Sequence, residues 1–105
     1  MNYRAKGSKA EREYKQMKEA DGWVCEKTKA SRHGSQDFFN LFDVICFNSQ
    51  EGLLVQVKSN STAGAIKKLG SFKCPDNVKK VVAVRYDAYT KGWKKHGQWR
   101  EILVL

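Results

Sequence analysis

Phe42-Asp43-Val44-Ile45-Cys46-Phe47, then Asn48-Ser49-Gln50-Glu51-Gly52, then Leu53-Leu54-Val55-Gln56-Val57-Lys58 is the stretch that decides the reading of this chain. Two apolar runs rich in aromatic and β-branched residues flank a polar turn that ends in glycine. That pattern predicts two strands joined as an antiparallel hairpin. Each run has a polar interruption: Asp43 in the first, Gln56 and Lys58 in the second. Side chains alternate faces along a strand, so Gln56 and Lys58 point one way while Val55 and Val57 point the other. An antiparallel partner can set Asp43 beside them. A carboxylate, an amide oxygen and an ammonium then converge at one end of a sheet.

Phosphodiester hydrolysis uses such a group. Mg²⁺ takes oxygen ligands and keeps several waters. It polarises a phosphoryl oxygen and lowers the pKa of a bound water. A neighbouring lysine orients that water or stabilises the charge that develops. The competing reading is that Asp43 ends a strand and Lys58 snorkels at its edge. On spacing alone the pattern is short and frequent, and both readings stand.

Outward from the hairpin, Ser8 to Ala20 has Ala10, Tyr14 and Met17 on one stripe, a helix stopped by Asp21-Gly22. Residues 1–7 read as a basic arm. Trp23 to Thr28 reads as a first strand, Ala30 to Gln36 as a loop, and Asp37 to Leu41 as a turn carrying Phe38 and Phe39 into the core. Beyond the hairpin, Thr62 to Leu69 is apolar at 63, 65, 66 and 69 and suits a short helix. Pro75-Asp76 marks a turn, Lys80 to Tyr86 a strand, Tyr89 to Gly97 a basic aromatic loop, and Gln98 to Leu105 a last strand. The predicted order is α-β-β-β-α-β-β in one domain over 1–105, a mixed sheet with helices against it.

Composition narrows the function classes. Twenty Lys and Arg against eleven Asp and Glu give a net charge of +9, which attracts polyanions through counterion release from phosphates. With the aromatic content, this points to nucleic acid rather than to an anionic membrane or an acidic protein. No stretch approaches the ~20 apolar residues of a bilayer span. The opening MNYRAKGSKAERE has no apolar signal-peptide core. The expected place is the cytosol, with the nucleoid. Cys25, Cys46 and Cys74 lack C-x-x-C spacing and share none with His33 or His96, so reduced structural thiols and no zinc site are expected. Arg4, Lys6, Arg32, Lys67, Lys68, Lys91, Lys94 and Lys95 are the candidate phosphate contacts, positioning DNA without reading its sequence. Trp93 is a candidate for stacking on a base.

Gly7-Ser8-x-x-Glu11-Arg12-x-Tyr14, Asp21-Gly22-Trp23, Ser31, Phe42-Asp43-Val44-Ile45 and Val55-Gln56-Val57-Lys58-Ser59 follow one another as in archaeal-type Holliday-junction resolvases. They also resemble Mrr-like nucleases of the PD-(D/E)XK superfamily, where the third motif residue is often Gln. Ala83-Val84-Arg85-Tyr86 and Gln98-Trp99-Arg100 look like the resolvase's closing strands, so the resemblance spans nearly the whole chain.

The resemblance implies a restriction-endonuclease-like αβββαβ core and a metal-dependent DNA endonuclease. Its cofactor would be Mg²⁺, with Mn²⁺ substituting, and no small-molecule cofactor is implied. Branched DNA is the implied substrate and a two-fold homodimer the implied assembly, with exposed Phe or Leu on the helices as its interface. By position, Glu11 is the helix carboxylate near the metal and Asp43 the main metal ligand. Gln56 stands at the usual acidic position, Lys58 is the catalytic lysine, and Ser31 touches the scissile phosphate. Two alternatives accompany this reading. Ser8-Lys9-Ala10-Glu11 is also a capping box with Glu11 at N3, and Asp37 is a reserve ligand or a cap for its turn. The rival functions are an Mrr-like or phage-type nuclease on other DNA, and a non-catalytic DNA-binding module in which Gln56 marks a decayed site.

Overall fold

The computed structural model describes residues 3–28, 30, 31, 34, 35, 37–39, 41–62, 64–86, 89, 90, 93, 94 and 98–105; for 3–8, 30, 31, 34, 35, 89, 90, 93 and 94 it describes the backbone. The chain opens on α1 (Tyr3–Ala20). The helix therefore takes in residues 3–7, which were expected as an arm. Tyr3-Arg4-Ala5-Lys6 contains no proline or β-branched residue, and a single Gly7 costs only about 1 kcal/mol against Ala. Ser8 thus lies inside the helix, and Glu11 is not the N3 residue of a capping box. Gly22, at φ 94°, ends α1 in the left-handed conformation that glycine tolerates. The Trp23 N–H donates back to the Lys18 carbonyl at 3.1 Å.

After α1 come β1 (Val24–Lys27), β2 (Ala30–Ser31), β3 (Gly34–Ser35), β4 (Val44–Phe47) and β5 (Gly52–Ser59). Then follow α2 (Ala65–Gly70), β6 (Val78–Tyr86), β7 (Tyr89–Thr90), β8 (Trp93–Lys94) and β9 (Gln98–Val104). Five strands form the central sheet in the order β1-β4-β5-β6-β9. β5 and β6 run parallel and the other neighbours antiparallel, so the sheet is mixed. Parallel neighbours need a crossover, which α2 supplies. The fold is α/β with two helices, and its main elements follow the expected α-β-β-β-α-β-β order. The two segments expected as loops each contain a two-stranded ribbon, β2–β3 and β7–β8.

Alternation along the strands builds two cores. Tyr14 of α1 buries against Cys25, Val44, Cys46, Leu53, Val55, Val81 and Ala83 on one face. On the other, Ala65 and Leu69 of α2 meet Phe42, Leu54, Val82, Val84 and Val104. Cys25 and Cys46 are buried free thiols, as expected of structural cysteines. The Tyr14 hydroxyl donates to Glu101 at 3.0 Å, and Lys18 pairs with the same carboxylate at 2.8 Å, so the phenol's polar end is satisfied inside the core.

Two expected core residues lie elsewhere. Phe39 is 65 % exposed and Ile66 42 %. α2 is only six residues long, too short to bury both flanks of its apolar stripe, so Ile66 faces out. Ala63 lies outside the described residues. Among the described residues the other large exposed apolar side chains are Val24, Phe47, Leu103 and Leu105, all off the helices. No described helix is long and apolar enough to cross a membrane.

Candidate functional site

β4 and β5 pair only from Val44↔Val55 to Phe47↔Gly52, whereas β5 stays paired to β6 as far as Ser59. Gln56 to Ser59 therefore run past the end of β4, and the sheet forks there. Asp43 sits at the fork. Continued register would set it opposite Gln56, but the ladder breaks. The Asp43 N–H donates to the Val55 carbonyl at 2.8 Å, and its own carbonyl accepts the Thr28 N–H at 2.9 Å. Its carboxylate Oδ2 takes over the vacated ladder position and accepts the Val57 N–H at 3.0 Å. β5 and the residue that follows β1 thus hold the aspartate backbone from two sides, and one peptide N–H aims its side chain.

Gln56 and Lys58 lie opposite Val82 and Val84 in the parallel register, on the face that α2 covers, while Val55 and Val57 pack toward α1. This is the alternation expected from the sequence. The Gln56 Oε1 atom is buried with no hydrogen-bond partner. An unpaired buried carbonyl oxygen forfeits about 1–3 kcal/mol of solvation, so it needs an explanation. The Lys58 side chain makes no ion pair or hydrogen bond with any described residue.

Glu11 reaches the fork from α1, on the opposite face of the sheet. Its Oε1 accepts the hydroxyl of buried Thr28 at 3.3 Å. Burial raises its pKa; Lys27 and the Thr28 hydroxyl oppose that, and the Asp37 charge adds to it. Asp43 is affected more strongly. Burial pushes its carboxyl up to about 7, the Val57 N–H pulls it down, and Glu11 and Asp37 push it up again. Asp37 is one of the neighbours that raise Asp43, both through its charge and through a side-chain hydrogen bond. The reserve carboxylate of the sequence reading thus belongs to the cluster itself. Thr28 and Lys27 were missed: nothing local marks the end of β1 as a neighbour of α1.

The donor set suits a hard cation with few protein ligands. Among the described residues no three His, Cys, Asp or Glu side chains form a metal-holding group. Mg²⁺ commonly uses one or two carboxylates and fills its shell with water and phosphate oxygens. Asp43 is destabilised as an anion by its neighbours and the Gln56 oxygen is orphaned, so a cation nearby would offset either cost.

The expected DNA contacts are more scattered. Lys67 and Lys68 are exposed in the last turn of α2. The backbone of Arg4 and Lys6 lies in the first turns of α1, that of Ser31 in β2 and that of Trp93 and Lys94 in β8; their side chains, and Arg32, Lys91 and Lys95, lie outside the described residues. Neither protein-family models nor curated proteins give a match to this chain.

Proposed function

We propose that the protein is a Mg²⁺-dependent DNA endonuclease of restriction-endonuclease-like architecture, acting on branched DNA as a two-fold dimer. The observation that carries the reading is the fork itself. A carboxylate raised to about 7 sits where β4 stops short of β5, Gln56 just beyond that point carries a buried amide oxygen without a partner, and Lys58, unpaired among the described residues, follows two residues later on the same strand face.

In this reading Asp43 and Gln56 would hold the cation, and Glu11 would add its negative charge to the site from α1. The chemistry such a cation would supply is polarisation of the scissile phosphoryl group and a lowered pKa for a water. Asp43 is kept in position by the Val57 N–H. Lys58, which pairs with no carboxylate among the described residues, donates to a phosphate oxygen or orients the attacking water. The +9 charge supplies the attraction for the DNA backbone.

A non-catalytic DNA-binding module is the second reading, and the neutral Gln56 in the usual acidic position favours it. Incubating the protein with four-way junction, flap and linear duplex in Mg²⁺ or Mn²⁺ separates the two. Metal-dependent cuts, strongest on the junction, are the expected result. Binding of all three without cleavage would leave the module. In either case affinity should fall on the order of 10³-fold between 50 and 200 mM salt for roughly six phosphate contacts. A flat salt response contradicts a phosphate-dominated interface.

A further inference from the structure

Between Asp37 and Asp43 the chain makes a tight turn. It is closed by the Phe38 N–H to the Phe42 carbonyl at 2.8 Å and the Phe42 N–H to the Phe38 carbonyl at 3.0 Å. At its tip Phe39 is 65 % exposed and sits at φ 54°. Both features are costly. A large apolar ring in water forfeits burial, and a bulky residue in the left-handed region is strained. The ring is nevertheless braced from behind, by Phe72 at 5.2 Å between ring centroids and by the edge of Phe42 at 6.5 Å. A side chain that is exposed, strained and braced by two other rings is one held out toward something.

Phe39 borders a cleft of about 380 Å³ lined by Phe47, Leu54, Phe72 and Pro75, with Lys73 among its walls. That size lies within the range of small-molecule pockets. The feet of the turn are Asp37 and Asp43, two carboxylates of the candidate site. Two residues of chain span at most about 7 Å, so Phe39 stays near Asp37, while the cleft runs from it toward Phe47 and Val78, at the hairpin end of the sheet away from the fork.

We propose that Phe39 and this cleft receive an unpaired nucleobase of the bound DNA, a short distance along the strand from the position of cleavage. The inference rests on the nuclease reading and adds to it a preference for DNA with unstacked bases. In a duplex each base already stacks on its neighbours and offers no free face, whereas an unpaired base exposes one to an aromatic ring. Lys73 among the cleft walls and the +9 charge favour a nucleotide, whose phosphate they attract.

The test is metal-free binding by fluorescence anisotropy, with 2-aminopurine at the unpaired position of a gapped duplex and a blunt duplex as control. Phe39→Ala should weaken binding of the gapped DNA by about tenfold, abolish 2-aminopurine quenching and leave blunt-duplex affinity within about twofold, whereas Phe39→Trp should retain both binding and quenching. Equal losses on both DNAs, or none on either, overturn the inference while leaving the nuclease reading intact. So does a change confined to sedimentation, which would make the patch a contact between copies. If the parent protein binds neither DNA, both the nucleic-acid reading and this inference fall.

Discussion

Glu11 and Glu13 stand two residues apart on α1, and their carboxyls meet opposite fates. Side chains two apart on a helix do not share a face, so the two acids reach different parts of the sheet. Glu13 accepts the Trp99 indole N–H at 2.9 Å and the Arg85 guanidinium at 3.1 Å. Burial pushes its pKa up, but these partners outweigh it, and the net shift is downward. Glu11 is also pushed up by burial, yet has only a hydroxyl and a nearby lysine to offset that, with more acid beyond. The Glu13 cluster is complete with the protein's own groups. At the fork Glu11 accepts from a hydroxyl and Asp43 from a peptide N–H, which leaves their charge for a cation to balance.

The largest effect expected from this contrast is on cleavage. Asp43→Asn should lower the rate roughly 10²–10³-fold, the usual loss when one group aimed at the reacting charge is removed. Affinity for DNA should persist, and Glu13→Gln should cut as the parent does. Equal damage from both variants in a single-turnover assay would erase the distinction between the two acids.

The pH dependence of stability comes next. Asp43 is raised in the folded state to about 7, against about 3.9 unfolded. The folded protein therefore binds the proton more tightly. Stability is highest below the unfolded value and declines as pH rises toward the folded one, by up to a few kcal/mol. Thermal melts from pH 4 to 8 should show that decline, Asp43→Asn should flatten it, and Mn²⁺ should restore stability at pH 8 more than at pH 5. A melting profile indifferent to both would mean that the carboxyl is not under this stress.

Gln56→Glu adds a negative charge where the orphaned oxygen lies. Even after discounting for solvent, Coulomb attraction should tighten Mn²⁺ binding at least about tenfold in calorimetry. Unchanged affinity would place the metal away from Gln56. The smallest effect belongs to the satisfied cluster. Glu13→Gln should cost about 1–2 kcal/mol in denaturant unfolding, because two donors lose a charged acceptor.

The fork was partly legible in the chain. Asp43, Gln56 and Lys58 stand out because they interrupt apolar strands, and strand alternation fixes which of them share a face. Glu11 came from the resemblance rather than from any local signal. Asp37 was visible only as a nearby acid, and Thr28 and Lys27 were invisible. Their places depend on α1 crossing the end of β1, a contact between residues far apart in sequence. Phe39 reads as core by composition and is exposed by the conformation of its turn.

The sequence by itself determined the number, kind and order of the main elements, because periods of two and of about 3.6 residues are written locally. It also determined the charge that favours a polyanionic partner. Only the tertiary structure decided that β4 stops short of β5, that the Asp43 side chain replaces a ladder carbonyl, and that three acids from α1, the turn and the fork crowd one another. The physical reason is that register, desolvation and Coulomb coupling arise between segments. They take values only once the strands have paired and water has been excluded from between them.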